Sequence, residues 1–135
     1  MKEMQYSSST KVEVLDTGYC LGFLYYILSL GTHPTAYIKI PEDHKYYKKD
    51  YEDIDVNIDL GVHGGLTYSK SFLYIDKNKK IDGWFIGWDY AHYGDYTGFE
   101  EMYPQEYRTG GYKWTTEEIF KEVKEACYQL AKVKD

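Results

Sequence analysis

Two segments of the sequence, 63–68 and 84–96, concentrate residue types that can bind polar ligands or move protons. The first reads His-Gly-Gly-Leu-Thr-Tyr. Paired glycines let the backbone approach a ligand closely, and their free N–H groups can hold an anion. His63 beside them could donate a hydrogen bond, act as a general acid or base, or bind a metal ion. A glycine turn between two strands with a surface histidine would give the same pattern.

The second segment begins with a strand pattern. Alternate side chains of a strand point to opposite sides, so one side would carry Trp84, Ile86 and Trp88 and the other Phe85, Gly87 and Asp89. Because Gly87 has no side chain, its side of the strand has a flat gap into which a ring could fit.

The same segment ends in Asp89, His92 and Asp95, whose spacing of three residues puts them on one side of a helical turn. Two carboxylates and an imidazole can bind a divalent cation, orient a histidine for proton transfer, or recognise nucleotide hydroxyl and amino groups. Hard metal ions need several convergent ligands, so we expect a polar pocket with no metal ion and no cofactor. The alternative is a structural role in which Asp89 caps a turn.

The predicted ligand-binding residues are therefore His63, Gly64, Gly65, Thr67, Tyr68, Trp84, Trp88, Asp89, His92, Asp95 and Tyr96. No residue is assigned as catalytic. If the protein is an enzyme, its acid, base and orienting groups would be His63, His92, Asp89 and Asp95.

The composition bounds the class of protein. The chain has 135 residues, enough for one domain with a real core. Its net charge of −6 argues against direct binding of a nucleic-acid backbone. The 17 tyrosines suit half-buried binding faces, although an AT-rich genome would produce the same excess. An acidic run is formed by Asp50, Glu52, Asp53, Asp55 and Asp59. Such a run is typical of a solvated strand face, although it could also form an acidic binding face.

Cys20 and Cys127 form no metal-binding or redox motif, which indicates two free, mostly buried thiols in a reducing compartment. The apolar run 19–30 is too short to span a bilayer and lacks the basic start of a signal sequence. We therefore expect a soluble protein of the cytoplasm with no membrane partner.

Hydrophobic periodicity predicts mostly strands. Strands are expected at 11–15, 36–40, 53–60, 71–75 and 83–88, with a polar hairpin connection at 76–80. Segment 19–30 fits either a strand or a helix. A surface loop or short irregular helix is expected at 42–53 and a long ordered loop at 89–111.

The clearest element is a C-terminal helix. Thr115 with Glu118 fits a capping box, and an apolar stripe follows, formed by Ile119, Phe120, Val123, Ala126, Cys127, Leu130 and Ala131. The apolar stripe of a single amphipathic helix must be buried, and the predicted strands supply a sheet on which the helix can pack. The predicted class is α+β, an antiparallel sheet with one long C-terminal helix packed on a face. Residues 1–10 are expected to form a flexible arm and 11–135 a single domain.

Three stretches of this sequence resemble a family of small, uncharacterised phage and mobile-element proteins. They are His-Gly-Gly-Leu-Thr-Tyr at 63–68, Trp-Phe-Ile-Gly-Trp-Asp-Tyr-Ala-His-Tyr-Gly-Asp at 84–95, and Ile-Pro-Glu-Asp-His-Lys-Tyr-Tyr at 40–47. The resemblance runs from about Ala36 to Leu130, and the N-terminal third departs from it. It implies a phage or prophage origin without an established activity. The family pattern stresses His63, Gly64, Gly65, Trp84, Asp89, His92 and Asp95.

The favoured function is a phage protein that binds a small nucleotide-like ligand and sequesters a nucleotide-derived immune signal of the host. This interpretation combines the resemblance with a pocket whose aromatics could stack on a base, each stacking contact being worth roughly 1–3 kcal/mol. Such a binding protein could be a homo-oligomer, for which Tyr-rich surfaces are suited.

Two alternatives stay open. One is a nucleotide phosphodiesterase or hydrolase that uses the His and Asp cluster. The other is an acidic inhibitor that contacts a host defence protein or CRISPR effector through the Asp50–Asp59 run. Recognition is favoured over catalysis because the sequence contains no recognised nucleophile or metal motif.

Overall fold

Five strands and two helices form in the part of the chain that the structure describes. The structure is a computed structural model and describes residues 12–29, 33–57, 60, 62, 65–76, 78–90 and 114–133. Its elements are β1 (Glu13–Cys20), β2 (Phe23–Ser29), β3 (Pro34–Ile40), α1 (Tyr51–Asn57), β4 (Tyr68–Asp76), β5 (Lys79–Asp89) and α2 (Thr116–Ala131). This is the predicted α+β class. None of the described helices is long and apolar enough to cross a bilayer.

The strands form one antiparallel sheet in the order β1-β2-β3-β5-β4. The β4–β5 hairpin is placed so that β5 pairs with β3, which leaves β4 at an edge. The predicted strands at 36–40, 71–75 and 83–88 are confirmed as parts of β3, β4 and β5. Residues of the edge strands β1 and β4 come within 8 Å of each other, measured between Cα atoms.

Segment 19–30 is neither a single strand nor a helix. β1 ends at Cys20 and β2 begins at Phe23, with Leu21 and Gly22 between them at φ values of 53° and 88°. Two consecutive positive φ values are typical of the tight turns whose twist matches that of a hairpin. Residues 13–15 of the predicted strand at 11–15 form the beginning of β1, which continues to the turn, and residue 11 lies outside the described residues.

The prediction of a strand at 53–60 is wrong, since Tyr51–Asn57 form the helix α1. Alternating aliphatic and acidic residues suggested a half-buried strand, but aspartate and asparagine are poor strand formers. Glu52 and Asp53 lie in the first helical turn, where negative charge interacts favourably with the helix dipole. Ile54 is fully buried and anchors the helix in the core.

The C-terminal helix forms as predicted. The Thr115 side chain accepts a hydrogen bond from the backbone of Glu118, and the Glu118 side chain accepts one from the backbone of Thr115. This reciprocal pair is the predicted capping box. Five residues of the predicted apolar stripe are buried, namely Ile119, Val123, Ala126, Cys127 and Leu130, whereas Phe120 is half-buried and Ala131 is exposed.

The buried residues fall into two hydrophobic clusters on opposite sides of the sheet. The first face of the sheet is the side that carries Ala36, Ile38, Ile86 and Trp88, and these share a cluster with the buried residues of α2. The second face carries Tyr37 and Phe85, which cluster with Val12, Leu28 and Leu73. Successive residues of β3 and β5 thus alternate between two separate environments, as strand geometry requires.

Candidate functional site

A pocket of about 190 Å³ opens where β3 begins and β5 ends. It is lined by His33, Thr35, Tyr37, Thr67, Tyr68, Trp88 and Asp89. We call it the Thr35 pocket. Thr35, Tyr37 and Asp89 have the strand parity of the second face, so the pocket is built largely on that side of the sheet.

One wall of the pocket is a row of polar side chains that crosses from β3 to β4. Thr35 and Asp89 are directly opposite each other in the β3–β5 ladder, a placement that brings Cβ atoms to roughly 4.5–5.5 Å. Thr67 Oγ1 donates a hydrogen bond to Asp89 Oδ2 at 3.3 Å. The Thr67 backbone N–H donates to the Gly87 carbonyl oxygen at 2.9 Å, which holds Thr67 beside the end of β5.

The next row along the strands is aromatic. Tyr37 and Tyr68 are both paired with Gly87, one from each neighbouring strand. A Cβ atom on Gly87 would collide with the Tyr37 ring, so that ring fills the gap predicted above the glycine. The rings of Tyr37 and Tyr68 meet edge to face, with centroids 5.0 Å apart. The Tyr68 hydroxyl donates to the Phe72 carbonyl oxygen at 2.6 Å, which fixes its orientation.

The Thr35 hydroxyl is the unusual group of this site. Thr35 is only 3% exposed, and its Oγ1 has no hydrogen-bond partner among the residues that the structure describes. A buried hydroxyl without a partner costs roughly 1–3 kcal/mol. Burial raises the pKa of the neighbouring Tyr37 phenol, the Thr35 hydroxyl opposes that rise, and Asp89 adds to it. The two hydroxyls therefore influence each other without the geometry of a hydrogen bond.

Four of the predicted ligand-binding residues come together in this pocket: Thr67, Tyr68, Trp88 and Asp89. Five others lie outside the described residues, namely His63, Gly64, His92, Asp95 and Tyr96. The Gly65 N–H donates to the Val62 carbonyl oxygen at 3.1 Å. That amide closes a turn and is not free to hold an anion. One of the two glycine N–H groups predicted to bind an anion is therefore already engaged.

The two predicted tryptophans belong to the first face. Trp84 Nε1 donates to the Lys49 carbonyl oxygen at 3.0 Å, and Trp84 does not line the Thr35 pocket. Trp88 contributes to the pocket wall, but its Nε1 donates to the Tyr90 hydroxyl at 2.9 Å. That hydroxyl donates in turn to Glu122 Oε1 of α2 at 2.6 Å. Both indoles are held by structural hydrogen bonds.

Sequence reasoning missed three residues of the pocket: His33, Thr35 and Tyr37. Their position beside Asp89 depends on β3 pairing with β5, a contact between segments some fifty residues apart that no local pattern encodes. The flat gap at Gly87 was the available signal, since it called for a ring and Tyr37 supplies one.

The acidic run is described in part, since the Asp55 side chain and Asp59 lie outside what the structure describes. The side chains of Asp50, Glu52 and Asp53 are exposed. Asp53 lines a shallow cavity together with Lys45 and Lys49. No group of three or more His, Cys, Asp or Glu side chains in the described ranges is arranged to hold a metal ion.

Comparisons with protein-family models, curated proteins and solved structures return no match to this chain. The resemblance to phage proteins therefore stays a prediction, and the function has to be argued from the pocket itself.

Proposed function

We propose that this protein is a phage-type binding protein of the host cytoplasm that sequesters a nucleotide-derived immune signal. The nucleobase of that ligand would occupy the Thr35 pocket. The observation that carries the proposal is the buried Thr35 hydroxyl, which has no partner among the described residues and belongs to a residue that lines the pocket with Asp89. A ligand that reaches this hydroxyl would satisfy a buried polar group that no described residue satisfies.

The size of the pocket supports a base-sized group. Sites for drug-sized ligands occupy roughly 300–1,000 Å³, whereas this pocket measures about 190 Å³. A flat ring system can enter it, but the sugar and phosphates of the same ligand would remain outside the described walls.

The charge of the site also supports an orientation with the base inside the pocket and the phosphates outside. Asp89 is the acidic residue among the pocket's lining side chains, and an ionised carboxylate repels phosphate. The Gly65 amide is engaged in a turn. The pocket therefore favours a neutral group that carries hydrogen-bond donors.

The second face is available for a ligand if α2 covers only the first. We propose that it does, because the buried residues of α2 cluster with side chains of the first face. The contact between the Phe120 and Tyr25 rings, with centroids 5.4 Å apart, supports this arrangement.

The alternatives have less support in the described residues. A hydrolase needs a paired acid and base, and burial raises the pKa of the Tyr37 phenol out of the range useful at neutral pH. His33 lines the pocket, so cleavage stays an outcome to be tested. The lysines around the acidic run weaken its likeness to a nucleic-acid backbone.

Self-association is also proposed, through side chains and not through the open backbone edge of β1. Tyr19 is 76% exposed and Leu21 is 58% exposed at the β1–β2 hairpin. A bulge follows Val14, and Asp16 Oδ1 accepts the Thr17 N–H at 2.9 Å. Both features discourage strand addition at this edge.

The experiment is ligand capture. The purified protein is incubated with cyclic dinucleotides and cyclic trinucleotides, separated from free ligand, denatured, and the released material is identified by mass spectrometry. We expect intact nucleotide from the wild type and markedly less from Thr35→Val. Ser71→Ala, which removes an exposed hydroxyl on β4, serves as the matched control. Release of cleaved nucleotides would show that the protein is a hydrolase and not a binding protein. If no nucleotide is released from any of the mixtures, the proposal is overturned.

A further inference from the structure

We infer that Cys20 and Cys127 form a redox-active pair, in which Cys20 takes up a glutathione group and Cys127 then displaces it to close a disulfide between β1 and α2. Both thiols are free in the structure. The pair belongs to the first face of the sheet, so the inference does not depend on the Thr35 pocket or on its ligand.

The register of the sheet turns Cys20 towards the cluster that holds Cys127. Cys20 is the cross-strand partner of Phe23, and Gly18 is the partner of Tyr25. Side chains of directly paired residues lie on the same face, and Phe23 and Tyr25 both belong to the cluster of the first face. Cys20 is itself packed against that cluster, which includes Cys127. The fold therefore brings both thiols to one side of the sheet.

The two thiols are within hydrogen-bonding distance of each other. Residues of α2 and β1 come within 8 Å, measured between Cα atoms, and the side chains of Cys20 and Cys127 are hydrogen-bond partners. Burial and Asp16 raise the pKa of the Tyr25 phenol, and both thiols add to that rise, so both lie near the same ring. More than one hundred residues separate the two cysteines in the sequence, so their proximity is a product of folding.

The two thiols differ in their access to solvent. Cys20 is partly exposed, whereas Cys127 is fully buried. Burial, together with the neighbouring Cys20, raises the pKa of the Cys127 thiol to about 12, so very little of it is thiolate at neutral pH. An oxidant in solution therefore meets Cys20 first, and Cys127 reacts only with the sulfur that Cys20 presents to it.

The reaction is thiol–disulfide exchange in two steps, with glutathione disulfide as the oxidant. The Cys20 thiolate attacks one sulfur of the oxidant, the S–S bond of the oxidant breaks, and one glutathione thiolate leaves and takes up a proton. The Cys127 thiol then loses its proton to water, and its thiolate attacks the Cys20 sulfur and expels the second glutathione. The protein loses two electrons and two protons, and the oxidant becomes two molecules of glutathione.

The disulfide would join an edge strand of the sheet to the C-terminal helix. A cross-link that closes a long loop stabilises a protein mainly by restricting its unfolded chain. In a reducing compartment both thiols stay free, so the link forms only when small disulfides accumulate. The pair would then make the folded state more resistant to unfolding under oxidising conditions.

The test is oxidation of the folded full chain. Reduced protein is incubated with glutathione disulfide, samples are quenched with acid, and intact masses and unreduced peptides are identified by mass spectrometry. We expect an early adduct of one glutathione on Cys20, replaced later by a monomer that has a Cys20–Cys127 link and no glutathione. In denaturant the two thiols are far apart, so glutathione adducts on both cysteines should prevail.

Two variants assign the two steps. Cys127→Ser should stop at the Cys20 adduct, because the thiol that displaces glutathione is missing. Cys20→Ser should leave Cys127 unmodified, because the accessible thiol is missing. Since Cys20 is only partly buried, Cys20→Ser keeps the test decisive if Cys127→Ser does not fold, and circular dichroism checks the fold of each reduced variant. Oxidation should also shift the denaturation midpoint of the wild type upward and leave that of Cys20→Ser unchanged.

Several results would overturn the inference. They are a Cys20 adduct that persists in the folded wild type, a disulfide between two copies of the chain, modification of Cys127 in folded Cys20→Ser, and a wild type that does not react. An oxidised protein whose denaturation midpoint equals that of the reduced protein would overturn the stabilising role of the link. These results do not bear on the capture of nucleotides, so the proposed function is tested separately.

Discussion

The two faces of the sheet are built from the same strands but differ in whether their buried polar groups have hydrogen-bond partners. On the first face, Trp88, Tyr90 and Glu122 form a continuous relay in which each hydroxyl or N–H has a partner. On the second face, Thr35 is equally buried but its hydroxyl has none among the described residues.

Under the proposed function, this difference separates polar groups that stabilise the fold from a polar group that binds the ligand. A fully paired relay holds α2 and β5 together and leaves nothing for a ligand to gain. A buried hydroxyl without a partner weakens a protein, but it offers a ligand a contact that no described residue makes. Changes to the two faces should therefore have different consequences, and four of them test the comparison.

The largest effect is expected from Gly87→Ala, which fills the gap occupied by the Tyr37 ring. The new Cβ would collide with that ring and lie 2.7 Å from the Ala36 carbonyl oxygen, which belongs to the backbone and cannot move aside cheaply. We expect a loss of about 1–3 kcal/mol or more in the free energy of unfolding, measured by chemical denaturation. Gly18→Ala is the control, since its nearest neighbours are 3.5 Å away. Equal losses in both variants would show that the close packing at Gly87 is unimportant.

Next in size is Tyr90→Phe, which breaks the relay on the first face. Trp88 would keep a buried N–H without an acceptor, and the unfolding free energy should fall by about 1–3 kcal/mol. Tyr128→Phe, which removes a hydroxyl from an exposed side chain, should change little. A Tyr90→Phe protein as stable as this control would contradict the structural role assigned to the relay.

The corresponding change on the second face, Thr35→Val, should have the opposite sign. The substitution keeps the shape and removes an unpaired polar atom, so stability should be unchanged or higher by up to about 1 kcal/mol. Thermal and chemical denaturation measure the effect. A clear destabilisation would mean that the hydroxyl has a partner in the free protein, and the main support for the pocket would be lost.

The smallest effect concerns pH and a tyrosine of the first face. Burial, with a hydrogen bond to Asp16, raises the pKa of Tyr25 from 10.0 to about 12. Because the folded pKa lies above the unfolded value, this stabilisation is complete below pH 10 and is lost as the pH rises from 10 to about 12. Tyr25→Phe should flatten that part of the stability–pH profile and leave the neutral region unchanged. An unaltered alkaline slope would show that Tyr25 ionises equally in both states.

Features set by local sequence were predictable. The capping box at Thr115 and the stripe of α2 involve neighbours within a turn or two, and the alternation in β5 is a property of one strand. The segment around Ile54 misled the prediction because its two-residue alternation competes with poor strand propensity and a favourable helical first turn. The pairing of Thr35 with Asp89 could not be predicted, since it depends on the order of strands in the sheet.

The alternation of β3 and β5 also has an evolutionary consequence. Residues 35, 37 and 89 line the pocket on the second face, and Gly87 makes room for the Tyr37 ring, while residues 36, 38 and 86 pack in the core of the first face and Trp88 contributes to both. Under the proposed function, substitutions at positions 35 and 89 can alter what is recognised without changing a core residue of the first face, whereas position 87 is restricted to glycine by the Tyr37 ring. A single-residue insertion within β5 would exchange the two sets and damage both. Under the proposed function, the pocket can diversify by substitution at positions 35 and 89, but Gly87 and the lengths of these two strands are constrained.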